Sequence, residues 1–256
     1  MNEEEYAFMY LQEESHWWFV GMRAIVLSLL PTSALPPAPR TLDAGCGTGY
    51  NLSWFREQYG SKASGLDYYR YAFPFCRRRG EMDLVQGNIA SLPFVSGSFD
   101  LVASLDVLQK VPDEAARARA VMEFQRVLKP GGWFVIRVAA FEWLRSSHDN
   151  ELLTQRRFGA REFRELINGA GFQIVRFTFA NSFLFPLAAL WRCLKKIGLV
   201  PGGSDVRPTT RGTAWLNNAM ESLLRLEAAV LQKGAVSFPM GLSLIVVARK
   251  PVVGSQ

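Results

Sequence analysis

Leu42-Asp43-Ala44-Gly45-Cys46-Gly47-Thr48-Gly49-Tyr50 is an apolar run that ends in an acid and opens into a glycine loop. Glycines at 45, 47 and 49 let the backbone turn tightly and approach a ligand without Cβ atoms in the way. The spacing differs from the dinucleotide fingerprint, whose third glycine comes one residue later. Asp43 matters as much as the glycines. A pyrophosphate wants amide donors and no anion nearby, whereas a sulfonium ligand with an amino-acid tail welcomes a carboxylate beside its ammonium group. The loop therefore points to a cationic, amino-acid-bearing ligand.

Around this loop the chain alternates. Strands are expected at 41–45, 63–67, 83–86, 99–104 and 133–138, with helices near 52–59, 71–79 and 113–128 between them. Such βαβα order predicts an α/β fold with a parallel sheet and helices on both faces. Lys129-Pro130-Gly131-Gly132 is expected as a sharp turn delivering the fifth strand. A helix at 160–170, a strand at 172–179, two helices at about 184–197 and 213–233, the loop 198–212 and a last strand at 243–249 follow. Residues 1–30 read as helical, closed by Pro31. Four regions result: an N-terminal helical cap and linker (1–39), a cofactor-binding core (40–180), a helical insertion serving as substrate lobe or lid (181–239), and the last core strand with its tail (240–256).

Two further signals lie at strand ends. Asp67 closes Gly65-Leu66-Asp67 about twenty residues after the loop, where a carboxylate can accept from both hydroxyls of a ribose. Gly87-Asn88-Ile89 follows the third strand; an Asn side chain offers an acceptor to an adenine amino group, and a neighbouring amide can donate to a ring nitrogen.

Taken in order, these motifs, with Glu123-Phe124-Gln125-Arg126-Val127-Leu128-Lys129-Pro130-Gly131-Gly132 leading into the fifth strand, resemble the class I methyltransferases of the type 11 family over about residues 40–140. The resemblance implies a Rossmann-like, mostly parallel seven-stranded sheet with an antiparallel last strand and a helical insertion before it. It implies S-adenosylmethionine as cofactor and S-adenosylhomocysteine as product. The residues implied to hold it are Asp43, Gly45, Cys46, Gly47, Thr48, Gly49, Asp67, Tyr68, Asn88, Ile89 and Leu105. The family usually carries Asp at position 88. Many relatives also place histidine after the fourth strand, where this chain has Gln109-Lys110.

Glu13-Glu14-Ser15-His16-Trp17-Trp18-Phe19 with Arg23 resembles a segment in a subset of these enzymes linked to cell-surface glycan or lipid assembly. Carried over, Trp18 and its neighbours would lid the cofactor and Arg23 would pair with its carboxylate. Alternatively the aromatics simply pack the N-terminal helix on the sheet. His16 and His148, the two histidines, are candidate bases. Phe183 to Leu194, with Arg192, Lys195 and Lys196 interleaved, is an amphipathic basic segment that would suit an anionic membrane surface or a lipid tail through residues 183–197, or would pack its apolar face on the second insertion helix.

The expected acceptor is a small molecule or a lipid-linked one, such as a glycolipid or polyprenyl-linked sugar; a non-catalytic cofactor-binding module is the alternative. The net charge of +6 and pI near 9.4 permit an anionic partner. Nucleic acid is disfavoured, because Ser104-Leu105-Asp106-Val107 stands where base aminomethylases carry Asn/Asp-Pro-Pro-aromatic, and no aromatic-interleaved basic groove is evident. A dehydrogenase is excluded by the lack of a Tyr-x-x-x-Lys motif in place. Three scattered cysteines indicate neither a disulfide framework nor a metal site, and the acidic opening is no secretory signal, so a cytoplasmic location, with peripheral contact at the inner membrane face, is expected. Arg77-Arg78-Arg79 reads as a solvated helix end complementing the dipole.

Overall fold

A computed structural model describes residues 3–146, 149, 153–196, 214–234 and 236–252. The expected N-terminal helix is two: α1 (Glu3–Gln12) and α2 (Trp17–Leu29). The break falls at 13–16 because His16 adopts extended backbone and caps α2, its Nδ1 accepting from the Trp18 N–H at 3.3 Å. Three glutamates in the first turn of α1 face the positive end of its dipole.

The core runs β1 (Arg40–Ala44), α3 (Tyr50–Tyr59), β2 (Lys62–Asp67), α4 (Phe73–Arg78), β3 (Leu84–Gln86), β4 (Phe99–Leu105), α5 (Glu114–Val127), β5 (Leu128–Ala139), α6 (Ala160–Gly169) and β6 (Gln173–Ala180). Then come α7 (Phe185–Lys196), α8 (Ala214–Gln232) and β7 (Ser243–Arg249). Among the described residues the strands form one seven-stranded sheet in the order β3-β2-β1-β4-β5-β7-β6. β1 pairs in parallel with both β2 and β4, and β7 runs antiparallel between β5 and β6. The order reverses between β1 and β4, so a crevice opens beyond their carboxyl ends.

The expected turn at Lys129–Gly132 is instead part of β5. Phe99 pairs with Leu128 and Leu101 with Trp133, so residues 129–132 bulge against Asp100. Gly131 keeps its pairing by donating to the Lys250 carbonyl at 2.9 Å, and Lys129 reaches Asp100 at 2.7 Å. Chain that would otherwise leave the sheet is thereby held at its edge.

Alternation along the strands sorts the core into two layers. Leu42, Phe134, Ile136 and Val138 pack with Phe124 of α5 and Phe163 of α6 on one face; Leu101, Val135 and Val247 pack with Met22, Ile25, Leu224 and Ala228 on the other. Phe134 stacks on Phe172 at 4.7 Å and tilts against Phe124 at 5.3 Å; each such fully buried ring is worth roughly 1.5–3 kcal/mol. α8 lies along α2, which approaches closely because position 21 is glycine: a Cβ there would stand 2.5 Å from Leu224 Cβ. α7 packs beside residues 142–144, with Arg192 donating to the Leu144 carbonyl at 3.0 Å. Glu227 of α8 accepts from the amides of Ser182 and Phe183 at 2.8 and 3.1 Å, fastening α8 to the turn after β6. The loop expected at 198–212 lies outside the described residues.

Candidate functional site

The site grows from the end of β1. Gly45, Gly47 and Gly49 all have positive φ, at 98°, 54° and 85°. Gly45 shows why glycine is required, since a Cβ would also come within 2.2 Å of Val107. The amides of Gly45 and Cys46 both donate to the Leu66 carbonyl, which ties the loop to β2. Cys46 is buried against Leu52 and Cys76 and so shapes the loop from below. Gly49 then starts α3, leaving a helix N-terminus at the loop.

Asp43 is fully buried, and neither carboxylate oxygen has a hydrogen-bond partner among the described residues. Burial pushes its carboxyl up to about 7; Asp67 and Glu13 add to the shift, while Asn51 and Arg137 oppose it. Asn51 lies near enough to favour the charge without making a hydrogen bond of ordinary geometry. An orphaned acid beside a glycine cradle is the mark of a site built for a cationic ligand. Asp67, at the end of β2, accepts from Gly47 N–H and Tyr69 N–H, each at 3.0 Å, and from the Tyr6 hydroxyl at 2.8 Å. Beyond it a cleft of about 500 Å³ is lined by Tyr68, Tyr69, Arg70, Tyr71, Gln86, Gly87 and Asn88. These residues fit the parts of S-adenosylmethionine: Asp43 for the ammonium, Asp67 for the ribose and the cleft for adenine.

The structure also refines individual expectations. Asn88 is exposed and its side-chain oxygen accepts from the Ala90 N–H at 2.9 Å, leaving one further lone pair for a base. Ile89 turns its side chain into the core, so only its backbone can face a ligand. Leu105 ends β4 half-buried, against the α2 side. Trp18 packs partly on that layer and lies over the Arg137 guanidinium at 4.9 Å. Arg23 sits 4.1 Å over the Tyr50 ring and donates to the Glu13 carbonyl. His16 is buried as the α2 cap; His148 lies outside the described residues.

Three residues were not assigned to the site from the sequence. Asp106, just past β4, has a positive φ of 61° and pairs with Arg137, whose Nε reaches it at 2.9 Å. A strained non-glycine residue where β4 ends at the crevice is the signal of a functional position, and an acid following an apolar strand was its trace in the sequence. Lys110 is held below the usual lysine range by burial, with Asp106, Asp67 and Glu5 opposing. Arg79 is not a solvated helix end: it pairs with Glu13 at 3.0 Å and with Glu14, under the Tyr10 ring. Nothing in a run of three arginines distinguishes the one that turns inward. Gln109, by contrast, is spent on the backbone, accepting from Ala139 N–H at 2.6 Å.

The chain is similar to known proteins. Residues 42–136 match the family described as a methyltransferase domain. A protein of Mycolicibacterium smegmatis named for S-adenosylmethionine-dependent methyl transfer is 30% identical over 164 residues, 63% of this chain and 61% of the relative. A sterol 24-C-methyltransferase of Gibberella zeae is 32% identical over 131 residues, 48% of this chain and 33% of that one. A tRNA (carboxymethyluridine(34)-5-O)-methyltransferase of Arabidopsis thaliana is 32% identical over 122 residues, 48% and 28% of the two chains. The chain thus spans less than two thirds of these relatives. Among solved structures, Haemonchus contortus phosphoethanolamine N-methyltransferase 2, in complex with S-adenosylmethionine, superposes with a TM-score of 0.56 at 17% identity, covering 90% of this chain and 52% of that one. The sheet order, the glycine loop and the acids of β1 and β2 thus lie in or beside residues 42–136, the stretch that matches a type 11 methyltransferase domain.

Proposed function

We propose that the protein transfers the methyl group of S-adenosylmethionine to a small hydrophobic or lipid-linked acceptor. The observation that carries the reading is the pair of acids flanking the glycine loop: Asp43, buried without a partner, and Asp67, at the end of the neighbouring strand. The cofactor supplies an electrophilic methyl on a sulfonium, which leaves as a neutral thioether when the acceptor's nucleophile displaces it in line. What remains for the protein is positioning in a dry cleft. Asp43 would hold the ammonium and Asp67 the ribose. The Asp106–Arg137 pair, under Trp18, would border the acceptor at the end of β4 and β5.

A lipid-like acceptor is supported by apolar surface beside the crevice. Leu187, Leu190 and Trp191 of α7 and Trp215 of α8 are exposed, large apolar side chains that a solvated helix does not need. Arg192 does not contribute to a basic face, since its guanidinium is turned inward onto Leu144. Among the described residues no helix is long and apolar enough to cross a membrane.

The test has two arms. Purified protein is titrated with S-adenosylhomocysteine, where Asp67→Asn is expected to weaken uptake at least tenfold. Methyl-donor turnover is then followed with fatty acids, sterols, polyprenyl-linked sugars and tRNA as acceptors. Turnover with tRNA alone would replace the lipid reading; uptake without turnover on any acceptor would leave a binding module.

A further inference from the structure

The donor site already has an occupant from the same chain. Tyr6 of α1 is buried and gives its hydroxyl hydrogen to Asp67 at 2.8 Å, the acid assigned above to the ribose. Met9, one turn on, covers the loop: a Cβ at Gly47 would stand 2.8 Å from its methyl. Just past α1, Glu13 takes the Thr48 hydroxyl with its carboxylate, at the N-terminus of α3, and pairs with Arg79 at 3.0 Å. Arg23 donates to the main-chain carbonyl of the same Glu13. The two groups have the chemistry of the two ends of the donor, a hydroxyl on the ribose acid and a carboxylate at the helix terminus beside two guanidiniums.

We propose that α1 with Glu13 is a built-in competitor of the methyl donor, so that donor uptake requires this segment to withdraw from Asp67 and Thr48; the proposal rests on the donor reading above. Counting acceptor positions shows why both cannot stay. An ionised carboxylate offers about four lone-pair sites, and Asp67 already receives three N–H or O–H donors. One position remains for two ribose hydroxyls. Releasing Tyr6 frees the second while the two backbone donors keep the loop in shape. The adenine cleft, lined by 68–71 and 86–88, stays open beside the covered loop, so adenine can dock first and the ribose then displaces the phenol. Withdrawal is made easier by the state of Glu13, whose carboxyl is raised by burial against the help of Thr48, Arg79 and Arg23; exposing it relieves that burial.

Calorimetric titration of the full chain with S-adenosylhomocysteine tests this. Tyr6→Phe keeps the ring packed among Ala72 and Phe73 and removes only the competing hydroxyl; Glu13→Gln removes the competing charge. Each is expected to tighten binding several-fold, and the double variant about tenfold or more. Hydrogen exchange adds a second readout: the amides of residues 3–12 should exchange faster with S-adenosylhomocysteine bound. Unchanged or weaker binding by Tyr6→Phe and Glu13→Gln, or slower exchange in α1 on binding, overturns the proposal, since α1 would then be a lid that closes over the donor. Should neither the wild type nor the double variant take up S-adenosylhomocysteine, the donor reading itself fails and the competitor goes with it.

Discussion

Asp43 is held far from its ordinary charge state by the fold. Its carboxyl titrates near 7 in the folded chain and in the ordinary carboxylate range when unfolded, so the folded state retains a proton that the unfolded one has lost. Stability therefore falls as pH rises from about 4 to 7, and the cost persists at higher pH. Asp43→Asn is expected to stabilise the donor-free protein at pH 8 by on the order of 2 kcal/mol, with the gain vanishing near pH 4, as followed by thermal melts across pH. The same change should weaken S-adenosylhomocysteine binding at least tenfold, because the amide offers no charge to the ammonium. Wild-type affinity should in turn rise between pH 6 and 8 with a one-proton slope that the variant lacks. Asp43 and Asp67 were legible because strand-end acids at a glycine loop have few other uses. Tyr6 and Arg79 were not, since their partners lie 61 and 66 residues away in the chain and nothing local marks them.

Among elements, the contact of α2 with α8 has a sharp steric requirement. Gly21 lies against Leu224, so Gly21→Leu should overpack the pair and cost roughly 1–3 kcal/mol, seen as a drop in Tm. Combined with Leu224→Ala, the loss should be smaller than the sum of the two single changes, because the shortened side chain makes room; additive losses would show that the helices do not meet there. The elements themselves followed from periodicity with boundaries displaced by a residue or two: the last strand is found at Ser243–Arg249, as expected. Two readings failed for reasons outside local sequence. Pro130 and the glycines after it signal a turn, yet hydrogen bonds to Lys250 hold them in the sheet. The first thirty residues have helical periodicity throughout, but the contacts of Glu13 with the loop and with Arg23 require a break.

At the scale of the whole molecule, α2, the glycine loop, α3 and the ends of β1 and β2 meet at the donor site, so occupancy should stabilise the core they share even as α1 lets go of it. S-adenosylhomocysteine at a hundred times its Kd adds about 2.7 kcal/mol, expected as a rise in Tm of roughly 5–10 °C for a chain of this size; a flat melt at saturating concentration would contradict the site. The sheet order carries a different consequence. Among the described residues β6 joins the other strands only through β7, although β7 follows it in the chain with two helices between. Vectorial synthesis therefore produces β6 well before the strand it pairs with exists, and its backbone edge and apolar Phe177 and Phe179 must wait, exposed to mispairing or to chaperone capture, until the closing antiparallel pairing with β7 completes the sheet.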